Sequence, residues 1–195
     1  MKIAIICASM RAESQSLKVS KWLKENAPTD IEIEIIDLHK INLPLFDDSD
    51  EMRHVFKPVS HILQKSEGFI FVSPEWNGMV SHGLINMLHF CQDRELAYKP
   101  VMLVGVSSGR GGTHPLDQMK LIGQKNRHYI ISPENLIISG VKDVMNDNDM
   151  KDASLDSGLK RRAVYGVNIL GELARALTPV RLSTSIDFDH FGNGV

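Results

Sequence analysis

The segment over residues 8–16 carries groups suited to binding an anion. It reads Ala-Ser-Met-Arg-Ala-Glu-Ser-Gln-Ser and leads into a helical pattern near Ser16. Serine hydroxyls, the Arg11 guanidinium and the free N–H groups of a helix amino terminus can together hydrogen-bond a phosphate dianion. The alternative interpretation is that Ser14 and Ser16 only cap the helix while Arg11 is solvated. The segment alone leaves both interpretations open.

Four other kinds of phosphate chemistry are disfavoured by the same segment. It has no Gly-Lys-Ser/Thr of a Walker loop and none of the glycines of a dinucleotide fingerprint. A cysteine phosphatase loop needs an arginine six places after Cys7, where this chain has Glu13. A phosphoacceptor domain needs acidic residues at the end of the first strand, which this chain lacks.

A second candidate loop reads Ser-Pro-Glu-Trp-Asn-Gly-Met over residues 73–79. Pro74 stiffens the chain and Asn77-Gly78 is a strong turn signal, so the intervening amides should project beside Trp76. Such a turn can hold a planar heterocycle through backbone hydrogen bonds. The alternative is an ordinary tight connection in which the tryptophan is simply packed.

A third loop reads Ser-Ser-Gly-Arg-Gly-Gly-Thr over residues 107–113. Its glycines allow the backbone to approach a flat ligand closely. A dinucleotide fingerprint would need a further glycine where His114 stands, so the loop supports a binding site without naming the ligand.

Short apolar runs that alternate with helical patterns must position these loops. The predicted strands cover residues 3–8, 31–36, 69–72, 101–106 and 129–138, and the predicted helices cover 16–27, 55–65, 81–92, 115–126 and 157–177. Alternating strands and helices indicate an α/β fold with a parallel sheet and helices on both faces. Ligands in such folds bind at the carboxyl ends of the strands, where all three loops lie.

The second strand is predicted to lie at the sheet edge. Residues 31–35 alternate strictly between isoleucine and glutamate, which favours the flavodoxin-like order 2-1-3-4-5 over the order 3-2-1-4-5. We therefore expect a flavodoxin-like three-layer sandwich with a five-stranded sheet. In the first helix Trp22 should face the sheet and Lys18 the solvent. Residues 1–177 are expected to form one domain, with 178–195 a tail that is frayed or docked on a partner subunit.

The composition is that of an ordinary globular protein. Of 195 residues, 43% are hydrophobic and 24% charged, and the formal net charge is −2, which disfavours disordered, collagen-like and coiled-coil classes and nucleic acid as main partner. No apolar run reaches the ~18 residues of a membrane span or resembles a signal-peptide core. Cys7 and Cys91 stand in apolar stretches, so we expect buried thiols and a cytoplasmic protein.

The three loops together resemble the NADPH-dependent FMN reductase family. That family has roughly Gly-Ser-x-Arg-x-x-Ser-x-Asn after the first strand, Pro-Glu-Tyr-Asn-Gly-Ser after the third and Gly-x-x-Gly-Gly after the fourth. Residues 8–16, 74–79 and 109–112 match these motifs, and the similarity covers about residues 1–140. This chain departs from them with Ala8 for glycine, Ser16 for asparagine and Trp76 for tyrosine.

The resemblance implies FMN as cofactor and NADPH or NADH as reductant. It implies that the serines and arginine of the first loop hold the phosphate, while the second and third loops enclose the ring. The residues expected to bind the cofactor are Ser9, Arg11, Ser14, Ser16, Pro74, Glu75, Trp76, Asn77, Gly78, Ser107, Gly109 and Gly112.

The implied function is an FMN-dependent NAD(P)H oxidoreductase that reduces a small-molecule acceptor such as a quinone, flavin, ferric or azo compound. No side-chain nucleophile and no metal ligand is expected. The N–H groups of residues 75–77 should stabilise negative charge on the reduced ring, with the Glu75 carboxylate in solvent. The resemblance also implies a homodimer or homotetramer without membrane or nucleic-acid partners.

Two alternatives remain open from the sequence. One is a flavodoxin-like electron carrier or FMN-binding redox sensor without steady turnover. The other is an interaction module that has lost FMN, because the helix at residues 81–90 differs from the family pattern.

Overall fold

A parallel β-sheet forms the centre of the computed structural model, which describes residues 1–146 and 152–191. Its strands are β1 (Lys2–Cys7), β2 (Glu32–Asp37), β3 (Gly68–Pro74), β4 (Pro100–Val106), β5 (Ile130–Ile131) and β6 (Leu136–Ile138). The order is β2-β1-β3-β4-β5, and β6 also pairs with β4, nearer its carboxyl end. The flavodoxin-like order and the edge position of β2 are therefore confirmed.

The fifth sheet position differs from the continuous strand predicted over residues 129–138. It holds two short strands, β5 and β6, both parallel to β4. Between them lies Pro133, which has no N–H group for a sheet hydrogen bond. There the Leu103 N–H of β4 donates a 3.0 Å hydrogen bond to the Asn135 side-chain oxygen instead of to a strand carbonyl.

Helices connect the strands. They are α1 (Gln15–Glu25), α2 (Leu38–Ile41), α3 (Asp50–Lys65), α4 (His82–Phe90), α5 (Asp93–Leu96), α6 (His114–Leu121), α7 (Gln124–Arg127), α8 (Ala153–Arg181) and α9 (Phe188–Phe191). The predicted helix over residues 115–126 is thus two helices. They are separated by Gly123, whose φ of 76° is a left-handed conformation that glycine adopts freely.

Two hydrophobic cores cover the two faces of the sheet. On one face Val19 and Trp22 of α1 and Val167 of α8 pack with the β1 side chains of Ile3 and Ile5. The other core joins the opposite faces of β1, β3 and β4 to apolar side chains of α3, α4 and α6. This arrangement confirms the predicted three layers, including the inward orientation of Trp22.

The last long helix extends beyond its predicted end at residue 177. It runs through Pro179 to Arg181. The Arg181 guanidinium donates to Thr178 Oγ1 at 2.8 Å and to the Ala174 carbonyl at 3.4 Å, which fastens the final turn. Residues 192–195 of the predicted tail lie outside the described residues.

Across residues 1–146 and 152–191, no helix is both long and apolar enough to cross a membrane. Within the same ranges, no cluster of three His, Cys, Asp or Glu side chains could hold a metal ion.

Cys7 and Cys91 are free and buried. Burial raises the pKa of each thiol, which disfavours the nucleophilic thiolate form.

Lys99 is a buried cation between helix ends. Its side chain is 5% exposed, and its ammonium donates to the carbonyls of Leu63 at 2.8 Å, Gln64 at 3.2 Å and Glu95 at 2.8 Å. Burial lowers the pKa of Lys99 to about 8, because the charged ammonium loses its solvation by water at this buried position.

Lys99→Met should therefore change how stability depends on pH. Between pH 8 and 10.5 the unfolded chain holds the Lys99 proton and the native chain has released it, so this residue's contribution to stability rises with pH. The unfolding free energy of wild type minus that of Lys99→Met should therefore become more positive by up to about 3 kcal/mol as the pH rises across that window. Urea unfolding at several pH values measures it. The exposed Lys24→Met is the control, and parallel curves for wild type and Lys99→Met would contradict the expectation.

Candidate functional site

The loops after β1, β3 and β4 converge on one cleft at the carboxyl edge of the sheet. Its volume is about 530 Å³, within the range of small-molecule sites. The predicted residues that line it are Ser9, Arg11, Ser14, Ser16, Pro74, Glu75, Trp76, Ser107 and Gly109. Asn77, Gly78 and Gly112 lie outside this lining, and their assignment to the cofactor stays a prediction.

The loop after β1 is folded by its own hydroxyl groups. Ser9 is 1% exposed, and its Oγ accepts a 3.2 Å hydrogen bond from the Arg11 N–H. Glu13 has a φ of 47°, which turns the chain sharply into α1. Ser14 is the N-cap, and its Oγ accepts from the Leu17 N–H at 3.1 Å. The capping interpretation is thus right for Ser14.

Ser16 is free to serve a ligand. Its side chain is 1% exposed, yet its Oγ has no hydrogen-bond partner among the described residues. The Gln15 and Ser16 N–H groups also precede the first intrahelical bond, which Lys18 donates to the Ser14 carbonyl. A buried hydroxyl and two helix amides therefore present donors where the helix dipole favours an anion.

The loop after β3 closes on itself as a two-residue hairpin. Trp76 and Met79 exchange backbone hydrogen bonds of 3.3 and 3.0 Å, and Asn77 and Gly78 have φ values of 52° and 71°. Asn-Gly is the pair that favours this turn, because both residues tolerate positive φ. The turn signal in the sequence is confirmed.

This closure changes which amides can face a ligand. The Glu75 N–H donates to the Val106 carbonyl at 2.8 Å, and the Trp76 N–H closes the hairpin. Neither amide is free, contrary to the prediction from the sequence. Of the three amides, only that of Asn77 has no partner within the described part of the chain.

The Glu75 carboxylate is not in solvent, contrary to expectation. Its side chain is 12% exposed, Oε2 accepts from the Gly112 N–H at 2.5 Å, and Oε1 lies 3.2 Å from His114 Nδ1. Burial opposes ionisation, but the Gly112 amide and the histidine outweigh it and lower the pKa of Glu75. The group is therefore an anion at neutral pH.

Arg11 connects the first loop to the second. Its guanidinium carbon lies 4.9 Å from the centre of the Trp76 ring, a cation–π contact. The His82 ring lies 6.3 Å from the same indole. The two loops thus meet through the Arg11 and Trp76 side chains, and the His82 ring lies beside them.

A fourth segment that the sequence analysis missed also lines the cleft. Val141 and Lys142, in the connection after β6, form part of its wall. Lys18 holds this connection, because its ammonium donates to the carbonyls of Val141 and Val144 at 2.5 and 2.9 Å and to Asn146 Oδ1 at 2.8 Å. Lys18 was expected to face solvent. The one available signal was that the segment follows the fifth predicted strand.

Comparison with known proteins identifies the family. The model of the family described as NADPH-dependent FMN reductase matches residues 1–143. This chain belongs to that family. Membership implies FMN and NADPH, and the predicted resemblance is confirmed.

Two curated relatives are reductases. An NADPH azoreductase from Bacillus sp. (strain OY1-2) is 27% identical over 122 residues, which cover 61% of this chain and 66% of the relative. A quinone reductase from Pseudomonas putida is 28% identical over 117 residues, which cover 56% and 62% respectively. The match thus spans just under two thirds of each relative.

Solved structures show the same fold. FerB, a flavoenzyme NAD(P)H:(acceptor) oxidoreductase from Paracoccus denitrificans, superposes with a TM-score of 0.69 at 17% identity. The match covers 88% of this chain and 97% of FerB.

The residues of the cleft fit FMN. A phosphate needs several hydrogen-bond donors, and the unpartnered Ser16 hydroxyl, the free amides of α1 and the Arg11 guanidinium provide them. The Gln15 side-chain oxygen is also buried, has no partner among residues 1–146 and 152–191, and would accept from a hydroxyl or N–H group.

Ser14→Ala and Ser16→Ala should separate folding from binding. Loss of the Ser14 cap should lower stability by about 1 kcal/mol. Loss of the Ser16 hydroxyl, which has no hydrogen-bond partner among the described residues, should not lower stability, because it removes an unsatisfied buried group, and should weaken FMN binding by about 1.5 kcal/mol. Urea unfolding of the apoprotein and FMN titration measure the two effects. Equal FMN affinity in Ser16→Ala and wild type would contradict the phosphate assignment.

Arg11→Ala should weaken FMN binding by about 1.5 to 3 kcal/mol, the scale for losing a hydrogen bond to a charged group. It should also change the apoprotein's tryptophan fluorescence, because the guanidinium leaves the Trp76 ring. Arg161→Ala, at an exposed position on α8, is the control. An unaltered flavin affinity in Arg11→Ala would reject its phosphate role.

Proposed function

We propose that the protein is an FMN-dependent NAD(P)H oxidoreductase that passes hydride from NAD(P)H through bound FMN to a small-molecule acceptor, such as a quinone, flavin, ferric or azo compound. The observation that carries this proposal is the unpartnered, buried Ser16 hydroxyl at the amino terminus of α1. It lines the same cleft as Trp76, in a chain of the NADPH-dependent FMN reductase family. The cleft therefore offers hydrogen-bond donors for an anion and an aromatic side chain beside which a flat ring can lie.

The protein's contribution is to position the cofactor and the electrostatics around it. When bound, FMN supplies the redox chemistry, accepting hydride from NAD(P)H and reducing the acceptor. Ser9, Ser16 and Arg11 would hold the phosphate. Pro74 and Trp76 would form the wall beside the ring, and the Asn77 N–H would donate to negative charge on it. No side chain needs to act as a nucleophile.

We further propose that the protein works in the cytoplasm as a homodimer or homotetramer. Its two free, buried thiols suit a reducing compartment. Exposed apolar side chains at Met79, in the loop after β3, and at Leu121 and Ile122, at the end of α6, support a subunit contact. Light scattering of purified protein measures the assembly.

The enzymatic proposal is tested by spectra and turnover of the purified protein. We expect flavin absorption, release of FMN on denaturation, and steady-state oxidation of NADPH or NADH with benzoquinone or an azo dye. Free FMN at equal concentration is the control for uncatalysed reduction.

The outcomes separate the candidate functions. Protein that binds FMN and is reduced once, without steady turnover, would be a carrier or sensor. Protein that binds no FMN at saturating concentration would contradict the flavin assignment altogether.

A further inference from the structure

The Glu75 side chain joins two walls of the cleft. It starts in the loop after β3, and its carboxylate reaches the loop after β4 and the first residue of α6. Oε2 accepts from the Gly112 N–H at 2.5 Å, and Oε1 lies 3.2 Å from His114 Nδ1. Only 12% of the Glu75 side chain is exposed and its bond to Gly112 is partly buried, whereas the His114 side chain is 67% exposed.

The loop after β4 is folded back on the sheet and is held by contacts on two sides. Gly112 has a φ of 117°, and a Cβ on Gly105 would meet the Gly112 carbonyl oxygen, so the chain folds back tightly on β4. On its other side the loop is fastened to the segment after β6. There Ser139 Oγ donates to the Gly111 carbonyl at 2.6 Å and the Gly140 N–H donates to the Gly109 carbonyl at 2.7 Å.

Glu75 is the matching attachment on the cleft side. A Cβ on Gly111 would come within 2.6 Å of its Oε1, so the loop backbone rests directly against the carboxylate. The backbone of Glu75 is itself fixed by its 2.8 Å hydrogen bond to the Val106 carbonyl. The carboxylate therefore sets the distance between the two loops.

We propose that Glu75 is a positioning residue, whose carboxylate braces the loop after β4 through the Gly112 N–H and thereby sets the width of the flavin cleft. The inference rests on the proposed function, since it assigns to Glu75 a bracing role rather than a contact with the cofactor. Ser107 and Gly109, which line the cleft on the braced loop, are the residues whose placement depends on it.

The brace needs a hydrogen-bond acceptor rather than a negative charge. Glu75→Gln keeps an oxygen for the Gly112 N–H and an amide group opposite His114. Glu75→Ala removes the acceptor and leaves a buried N–H without a partner. Comparing the two variants separates bracing from simple electrostatics.

Amide exchange of the apoprotein tests the brace without any cofactor. In wild type and Glu75→Gln the Gly112 N–H should exchange slowly. In Glu75→Ala it should exchange at least tenfold faster, while amides of β1 keep their rates. Equal Gly112 exchange in wild type and Glu75→Ala would overturn the proposal.

FMN titration tests the consequence for the cleft. Glu75→Ala should raise the FMN dissociation constant at least tenfold, and Glu75→Gln should stay within about threefold of wild type. Asp117→Ala, which removes an exposed carboxylate on α6, is the matched control and should bind FMN as wild type does. Wild-type affinity in Glu75→Ala, or equal weakening in the Ala and Gln variants, would overturn the bracing role.

The two proposals fail differently. If wild-type protein binds no FMN, the proposed function fails, and the exchange rates still decide whether the brace exists. If wild type binds FMN and Glu75→Ala binds it equally well, the proposed function stands and the bracing role is wrong.

Discussion

The unpaired polar groups at the amino terminus of α1 are the constraint on which the site depends. A buried hydroxyl without a partner costs free energy that folding does not recover, and the Ser16 Oγ is such a group. The first helix must begin at this place because β1 ends in a buried turn at Ser9 and Ser14 caps the helix. The helix therefore presents its free amides to the cleft, where under the proposed function the FMN phosphate would complete their hydrogen bonding.

Contacts between loops give that cleft its shape. The sheet fixes only where each strand ends, and the loops beyond are joined by single side chains from neighbouring elements. Arg11 lies over Trp76, Glu75 reaches Gly112, and Lys18 holds the carbonyls of the segment after β6. Glu75 and Lys18 are charged groups partly withdrawn from water, whereas Arg11 is exposed. Such bonds cross between elements distant in the chain, so they hold the walls of the site in register.

Sequence reasoning succeeded where the signal was local or periodic. Alternation placed β2 at the edge, and Asn77-Gly78 forms the expected turn. It failed where a distant partner decided the outcome. The strand over residues 129–138 divides because Pro133 interrupts pairing with β4, and Lys18 turns away from solvent because three oxygens surround its ammonium. The helical pattern of α1 says nothing about those acceptors.

The sequence by itself determined the fold class, the strand order, the family and nine residues that line the cleft, because periodicity and short motifs encode these features within a few residues. Only the tertiary structure decided which polar groups remain free. It showed that the Glu75 and Trp76 amides are used within the protein, that the Glu75 carboxylate is buried against Gly112, and that the Ser16 hydroxyl has no hydrogen-bond partner in the described part of the chain. Hydrogen bonding is satisfied between elements far apart in the chain, and no local pattern records it.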